Sequence, residues 1–310
     1  MFTKGEKREL LSIKDLDREE IESLCELATK FSQKPDSSLL KGFILASCFF
    51  DPSTRTRLSF ETAMLRLGGQ VIGFSDAQST SAKKGESLRD TMRVIDSYAD
   101  VIVIRHPEAF SAIVAAEVCE KPVINAGDGA NEHPSQTLID LFTMQKLFGK
   151  IDGLKIAFVG DLKYGRTVHS LARALALYSV ELHFVSPRSL DLPESVKDFL
   201  KEKKVRAHFH DSLEKILSSV DVVYMTRLQK ERMQGEDVES YGLKQSMLKI
   251  AKPQLKILHP LPRVDEIEES IDTTPFAAYF QQAANGVAVR MAILARALGK
   301  ADVQKNKPHQ

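Results

Sequence analysis

The sequence predicts an α/β protein with two domains, each a parallel β-sheet covered by helices on both faces, joined by two interdomain helices. Its 310 residues exceed the length of one typical domain. Short apolar runs typical of buried strands alternate with segments of helical periodicity, which indicates parallel sheets. The alternation restarts after residues 149–153, and this places the domain boundary near a helix at 135–148.

The first predicted domain is residues 1–134, completed by a C-terminal helix at about 285–300. Its strand at 42–50 is a continuous apolar run, and the helix behind that strand stops at Gly68 and Gly69. Further strands are predicted at 70–74, 101–104 and 122–125, and further helices at 15–33, 86–98, 108–119 and 135–148. Residues 75–84 form a polar loop without periodicity.

The second predicted domain is residues 135–284. Its strands are predicted at 155–160, 180–185, 205–209, 222–225 and 255–258, and its helices at 166–178, 194–201 and 213–217. The polar residues 299–310 are expected to fray.

Composition narrows the class of partner. A net charge of +1 gives no case for nucleic acid or an acidic membrane as a partner. The three cysteines are widely spaced and unpaired in sequence, which is typical of buried thiols in a reducing compartment and makes a zinc site improbable. The charged N-terminus does not resemble a signal peptide, and no apolar run is long enough to span a bilayer. We therefore expect a cytoplasmic protein.

A phosphate site is predicted where the strand at 42–50 turns into a helix. Ser53, Thr54, Arg55 and Thr56 follow this strand directly. Backbone N–H groups and the positive end of the helix dipole meet there, and an arginine fork suits phosphate oxygens. The alternative is an ordinary helix capped by Ser53 or Thr54, with Arg57 paired to Glu61; three hydroxyls and an arginine in four residues favour the phosphate site.

Two more segments reach the same edge of the sheet. Arg105 ends the strand at 101–104, and the loop after the strand at 122–125 contains His133, with Gln136 on the helix behind it. Ligands of such sheets bind at the carboxyl ends of the strands, so these segments can converge. An imidazole there can donate to a carbonyl oxygen as charge develops. The alternatives are a turn histidine and a surface arginine.

The second half offers two arginines, Arg166 and Arg227, at strand ends. The segment 160–166 lacks the glycine spacing of a dinucleotide site, and no phosphate-binding P-loop is present. Two arginines on neighbouring strands would clamp a dicarboxylate, whereas the alternative is two surface arginines. The polar segment 79–86, with two lysines, is by itself typical of a solvated loop.

Seven motifs in order make the chain similar to the aspartate carbamoyltransferase family along nearly its whole length. They lie at 50–57, 84–86, 105–107, 133–137, 161–167, 224–229 and 259–263. The resemblance implies transfer of a carbamoyl group from carbamoyl phosphate to the amine of L-aspartate, in de novo pyrimidine synthesis. It implies no cofactor, no metal and no covalent nucleophile.

The resemblance also implies roles for individual residues. Catalysis is expected from Thr56, Arg105, His133 and Lys84. Carbamoyl phosphate is expected to contact Ser53, Thr54, Arg55, Thr56, Ser81, Arg105, His133, Gln136, Leu261 and Pro262. L-aspartate is expected to contact Lys84, Arg166, Arg227 and Gln229.

In this family, a serine and a lysine of the polar loop come from a neighbouring subunit. The resemblance therefore implies a homotrimer in which Ser81 and Lys84 complete the site of the next chain. The loop is a residue shorter here than in some members, so the serine could be Ser79 instead. Regulatory chains or another enzyme of the pathway are further possible partners.

Three other functions remain open at this point. An ornithine carbamoyltransferase would share the phosphate half of the site, but it typically has a cysteine in the motif at 259–262, where this chain has none. A non-catalytic binding homologue is a second alternative, although every motif residue required for catalysis is present. A nicotinamide-dependent dehydrogenase is the third, and the failed glycine spacing disfavours it.

Overall fold

The structure is a computed structural model, and it describes residues 8–228 and 242–301. Its described residues fall into two compact units. The first contains the chain up to Phe142 and again from Asn285, and the second runs from Thr143 to Ala284. The chain therefore passes between the units inside two helices, at residues 142–143 and 284–285.

The first unit is built on a four-stranded parallel sheet. Its strands are β1 (Ile44–Phe49), β2 (Gln70–Phe74), β3 (Val101–His106) and β4 (Val123–Asp128). Their order in the sheet is β2-β1-β3-β4. The helices are α1 (Arg18–Gln33), α2 (Thr54–Arg66), α3 (Leu88–Asp96), α4 (Ser111–Val118) and α5 (Pro134–Phe148).

The second unit contains a five-stranded parallel sheet. Its strands are β5 (Lys155–Val159), β6 (Glu181–Val185), β7 (Arg206–His210), β8 (Val222–Met225) and β9 (Lys256–Leu258). Their order is β7-β6-β5-β8-β9. The helices that lie wholly in this unit are α6 (Arg166–Leu175) and α7 (Glu194–Glu202). The long helix α8 (Tyr279–Ala297) begins in this unit and continues into the first unit from Asn285. The two parallel sheets with their helices confirm the predicted α/β class.

The apolar part of β3 shows how the sequence places polar groups at a strand end. Its residues 101–104 are almost fully buried, whereas Arg105 and His106 are half-buried. Burial of an apolar side chain of this size stabilises the fold by about 1.5–3 kcal/mol. The core thereby fixes the register in which Arg105 pairs with Phe49 at the end of β1. Arg105 consequently lies at the carboxyl edge of the sheet.

Two predicted elements differ from the structure. Helix α1 begins at Arg18 rather than near Asp15, because Asp17 and Glu20 cap each other's backbone N–H groups there. The segment 213–217, predicted as a helix, is a turn in the structure. Its apolar side chains are buried, but five residues are too few for a helix to gain from cooperative hydrogen bonding.

The polar loop is more ordered than its composition suggests. It contains two short 3-10 helices, Ala77–Ser79 and Ser81–Lys84, and Asp76 caps the first of them. Within residues 8–228 and 242–301, no helix is both long and apolar enough to cross a bilayer.

Candidate active site

Helix α2 begins at the carboxyl edge of the first sheet without a side-chain cap. Ser53 occupies the N-cap position, but its hydroxyl makes no capping hydrogen bond. The N–H groups of the first turn and the helix dipole therefore face the strand end, where they favour an anion. Of the alternative interpretation, Ser53 does occupy the N-cap position, but without a capping bond from its side chain, and the ion pair between Arg57 and Glu61 is present at 2.8 Å.

Two guanidinium groups lie close to this helix start. Arg105 donates through Nε to Asp51 Oδ2 at 2.9 Å and through Nη1 to the carbonyl oxygen of Ala126 at 3.4 Å. Burial lowers the pKa of Arg55, and the charge of Arg105 lowers that pKa further. The two cations are thus near enough to repel each other. Such a pair favours an anionic ligand that would neutralise both.

His133 and Thr56 meet at the same edge, although 77 positions separate them in sequence. The Nε2 atom of His133 lies 3.5 Å from Thr56 Oγ1, and its Nδ1 atom lies 3.4 Å from Ser135 Oγ. His133 is 5% exposed and Thr56 6%. A ligand oxygen held by these two groups would be largely shielded from water. In such a low-dielectric site, a hydrogen bond to a developing negative charge is stronger than in water.

Gln136 lies in the first turn of α5, and a side chain of the same helix holds its amide group in place. Its Nε2 atom donates to Asp140 Oδ1 at 2.8 Å. Residues four positions apart share one face of a helix, so the two side chains meet without distortion. Asp140 is fully buried. Gln136 was predicted from the sequence and Asp140 was not, although their four-residue spacing on a predicted helix was a usable signal.

Asp128, which the sequence analysis also missed, organises the loop before His133. Its Oδ1 atom accepts from Asn125 Nδ2 at 3.0 Å and from the N–H of Glu132 at 3.1 Å. Its Oδ2 atom accepts from the N–H of Phe110 at 2.8 Å. Asp128 is 1% exposed, so breaking these hydrogen bonds would leave buried polar groups unpaired and would lower the stability of the fold. They hold together the loops that follow β3 and β4.

The polar loop presents its candidate residues at the surface. Ser81 and Lys84 both lie in the second 3-10 helix and are exposed. Ser79 is engaged within its own turn, since its Oγ atom donates to the carbonyl oxygen of Asp76 at 2.8 Å. This local bond makes Ser81 a better candidate than Ser79 for contact with a ligand.

In the second unit, Arg166 and Arg227 follow two neighbouring strands, β5 and β8, as predicted. Both arginines are half-buried. Gly160 lets the two strand ends approach, because a Cβ atom there would lie 2.4 Å from the carbonyl oxygen of Thr226. The predicted aspartate-binding residue Gln229 lies outside the described residues.

The loop after β9 contains a buried pair that the sequence analysis missed. His259 Nε2 donates to Glu266 Oε1 at 2.6 Å, and the N–H of Leu261 donates to His259 Nδ1 at 2.7 Å. Burial raises the pKa of Glu266, but hydrogen bonds from His259 and from the N–H of Val264 outweigh it and leave the pKa below its usual value. The pair fixes the backbone beside Leu261 and Pro262, two of the predicted ligand-binding residues.

Cations and hydrogen-bond donors, rather than metal ligands, dominate these strand ends. In the described part of the chain, no group of three or more His, Cys, Asp or Glu side chains is arranged to hold a metal ion. The cysteines Cys25, Cys48 and Cys119 are buried free thiols. Burial raises the pKa of Cys25 and of Cys48 to about 12, so neither is a ready nucleophile at neutral pH.

Two family models match the chain in sequence order. Residues 8–146 match the model described as aspartate/ornithine carbamoyltransferase, carbamoyl-P binding domain. Residues 152–297 match the model described as aspartate/ornithine carbamoyltransferase, Asp/Orn binding domain.

Individual proteins show the same similarity over nearly the full length. The aspartate carbamoyltransferase catalytic subunit of Chromobacterium violaceum is 51% identical over 298 residues, covering 95% of this chain and 99% of that relative. Its counterpart from Thermococcus onnurineus is 53% identical over 301 residues, covering 94% and 97%.

Solved structures of aspartate transcarbamoylases are also similar to this chain over nearly its full length. The catalytic subunit of M. jannaschii aspartate transcarbamoylase superposes with a TM-score of 0.88 at 49% identity, covering 94% of this chain and 98% of that one. Aspartate transcarbamoylase from Trypanosoma cruzi in complex with N-(phosphonacetyl)-L-aspartic acid gives a TM-score of 0.88 at 38% identity, covering 93% and 95%.

Proposed function

Because the chain belongs to the aspartate/ornithine carbamoyltransferase family, we infer that it transfers the carbamoyl group of carbamoyl phosphate to the amine of L-aspartate. The products are N-carbamoyl-L-aspartate and phosphate, and the reaction serves de novo pyrimidine synthesis. Relatives that share about half of its residues are named aspartate carbamoyltransferase catalytic subunits, which favours aspartate over ornithine as the acceptor.

One observation in the first unit carries this inference. The Arg55 and Arg105 cations and the Thr56–His133 pair gather at the carboxyl edge of a parallel sheet, beside an uncapped helix N-terminus. Cations and backbone N–H groups suit a phosphate. Buried donors beside them suit the oxygen of the carbonyl that the phosphate carries. A carbamoyl phosphate needs both kinds of group within a few ångströms of each other.

The roles assigned to the first unit follow from this chemistry. Ser53, Thr54, Arg55 and Thr56 bind the phosphate through hydroxyls, the guanidinium and the N–H groups of the first turn of α2. Thr56, Arg105 and His133 direct their donors at the carbonyl oxygen. Gln136 accepts from the carbamoyl NH2 group, and the backbone carbonyls at Leu261 and Pro262 are assigned to the same NH2 group. Arg105 must exchange part of its ion pair with Asp51 for the ligand.

The second unit is assigned the L-aspartate carboxylates. Arg166 and Arg227 follow neighbouring strands, and two guanidinium forks can each bind one carboxylate in a bidentate way. Gln229 is assigned to the same substrate on the strength of the family resemblance. A second carboxylate suits this arginine pair better than the side-chain amine of ornithine does.

The reaction requires no covalent intermediate with the protein. The amine of aspartate attacks the carbonyl carbon, and the carbonyl oxygen gains negative charge that Thr56, Arg105 and His133 stabilise. The bond from that carbon to the bridging phosphate oxygen then breaks, and the leaving phosphate takes the amine proton. Most of the rate enhancement comes from holding two anions together in the reacting geometry. Positive charge from Lys84 offsets their mutual repulsion.

A homotrimer with shared sites is the assembly we propose. Ser81 and Lys84 lie on an exposed 3-10 helix, where they are accessible to a neighbouring copy, and each would complete the site of the next chain. Three free, buried cysteines fit a reducing compartment, so we place the protein in the cytoplasm. Regulatory chains or a further enzyme of the pathway are possible additional partners of the trimer.

A product assay tests the function directly. Purified protein is incubated with carbamoyl phosphate and either L-aspartate or L-ornithine, and the products are identified by mass spectrometry. We expect N-carbamoyl-L-aspartate, and a sedimentation mass of three chains for the active species. Citrulline alone would assign the chain to the ornithine branch of the family. Calorimetric binding of carbamoyl phosphate without turnover of either acceptor would identify a non-catalytic homologue.

A further inference from the structure

The contact between Gln136 and Asp140 determines which end of the glutamine amide faces the ligand. An ionised carboxylate can only accept hydrogen bonds, so the partner of Asp140 Oδ1 at 2.8 Å must be the NH2 end of the amide. The carbonyl end, Oε1, is left to point elsewhere. A fixed Oε1 atom can accept a hydrogen bond but can never donate one.

Arg290 on α8 explains how a carboxylate persists in this position. Asp140 is fully buried, and an isolated charge there would be strongly unfavourable. Arg290 is 3% exposed, and its guanidinium carbon lies 4.9 Å from the centre of the Phe60 ring. Burial lowers the pKa of Arg290 to about 9, while the charge of Asp140 opposes this change. Arg290 therefore stays protonated at neutral pH and balances Asp140.

The surroundings of Arg290 favour a specific rather than an incidental arrangement. A Cβ atom at position 286 would lie 2.5 Å from Arg290 Nη1, so Gly286 leaves room for the guanidinium. The Nε atom of Arg290 is buried and has no hydrogen-bond partner in the described part of the chain. A buried cation held with an unsatisfied donor is costly for stability. A role of the Arg290 cation in keeping the nearby Asp140 carboxylate ionised accounts for this cost.

We propose that Asp140, with its charge balanced by Arg290, is a positioning residue that makes the site specific for an acyl phosphate bearing an NH2 group. Gln136 Oε1 then accepts from the NH2 of carbamoyl phosphate and is left unpaired by the methyl group of acetyl phosphate. A site that hydrogen-bonds an N–H group rejects the analogue that lacks it, because a polar atom is then left without a partner. This inference rests on the proposed function, since it concerns the same ligand.

The first test compares two acyl phosphates in one assay. For wild type and Asp140→Asn, kcat/KM is measured with carbamoyl phosphate and with acetyl phosphate at saturating L-aspartate. An asparagine can donate or accept, so the glutamine amide is free to turn. We expect the ratio of the two kcat/KM values to fall about three- to tenfold, the effect of one neutral hydrogen bond. Asp36→Asn, at an exposed position, is the matched control and should keep the wild-type ratio.

A second variant separates positioning from mere structural support. Arg290→Met removes the charge that balances Asp140, which raises the pKa of a buried carboxyl. The ratio should then become pH-dependent, close to wild type in alkaline buffer and falling as Asp140 takes up a proton. His133 directly precedes the same helix and is present in every variant, so the pH profiles of wild type and Asp36→Asn are the reference from which the profile of Arg290→Met is judged.

The outcomes are distinct. A lowered ratio in Asp140→Asn, or a pH-dependent ratio in Arg290→Met, supports the proposal. An Asp140→Asn enzyme that slows equally with both acyl phosphates overturns it and leaves the proposed function intact. If Asp140→Asn does not fold, a pH-independent ratio in Arg290→Met overturns the proposal. A wild-type protein that transfers no carbamoyl group to aspartate overturns both the proposal and the function.

Discussion

Two histidines in this protein share a sequence context but differ in their surroundings. His133 and His259 each precede a proline, and each lies in the loop after a buried strand, β4 and β9 respectively. The ring nitrogens of His133 lie 3.5 and 3.4 Å from hydroxyl oxygens. Those of His259 make short bonds of 2.6 and 2.7 Å to Glu266 and to the N–H of Leu261.

This difference in contacts determines what the His133 and His259 rings can each do. The N–H of Leu261 can only donate, so His259 Nδ1 must accept and the ring proton lies on Nε2, facing Glu266. Both nitrogens are thereby committed to holding a loop. The two contacts of His133 with hydroxyl oxygens are near the limit of a hydrogen bond, and a ligand oxygen can compete with these two contacts. His259 supports the backbone, and we propose that His133 acts on a substrate.

The largest expected effect on kcat comes from removing Arg105, one of the donors that we assign with His133 to the carbonyl oxygen. Arg105→Ala removes a cation that we assign to the carbonyl oxygen, and we expect kcat to fall by about 10²–10³-fold, as for loss of one oxyanion donor. The steady-state rate with L-aspartate measures this directly. Arg18→Ala, which breaks an exposed pair with Glu22 on α1, should leave kcat unchanged. Equal rates for the two variants would remove Arg105 from the reaction.

A smaller effect is expected from a third histidine, His183, which lies in β6 and is 6% exposed. Burial lowers its pKa to about 4, and the nearby His208 and His210 rings lower it further while Glu181 opposes them. The unfolded chain therefore takes up this proton first. The stability that depends on neutral His183 is present above pH 6.5 and is lost as the pH falls from about 6.5 to about 4.

Urea unfolding of wild type and His183→Leu between pH 7.5 and 4.5 measures this contribution. We expect the wild type to lose up to about 1 kcal/mol more than the variant over that range, since solvent at the edge strand β7 screens the charge. Parallel pH profiles for the two proteins would show that His183 does not titrate in this window.

The sequence predicted the positions of the strand ends well, because they depend on local patterns. The apolar run before Arg105 and the strands before Arg166 and Arg227 place those arginines at carboxyl edges, and the structure has them there. The convergence of Thr56 and His133 followed from the general rule for parallel sheets. Family resemblance added the chemical identity of the ligands, which periodicity alone does not contain.

The carboxylates that hold these groups in place were not predicted. Asp51, Asp128 and Glu266 each bind a partner whose proximity depends on the folded chain, whereas Asp140 binds a residue of its own helix. In sequence, each is one acidic residue among the 42 of the chain, so residue type does not distinguish it. The predicted helix at 213–217 failed for a related reason, because apolar spacing records burial but not whether the backbone completes a helix.

Paired substitution of the two histidines tests the central claim most directly. His133→Ala and His259→Ala are compared by kcat with L-aspartate and by the free energy of unfolding in urea. We predict that His133→Ala loses about 10²–10³-fold in kcat with nearly unchanged stability. His259→Ala should lose about 1–3 kcal/mol of stability, because Glu266 and the N–H of Leu261 are left buried without a partner. A His133→Ala protein that is destabilised but fully active would contradict this account.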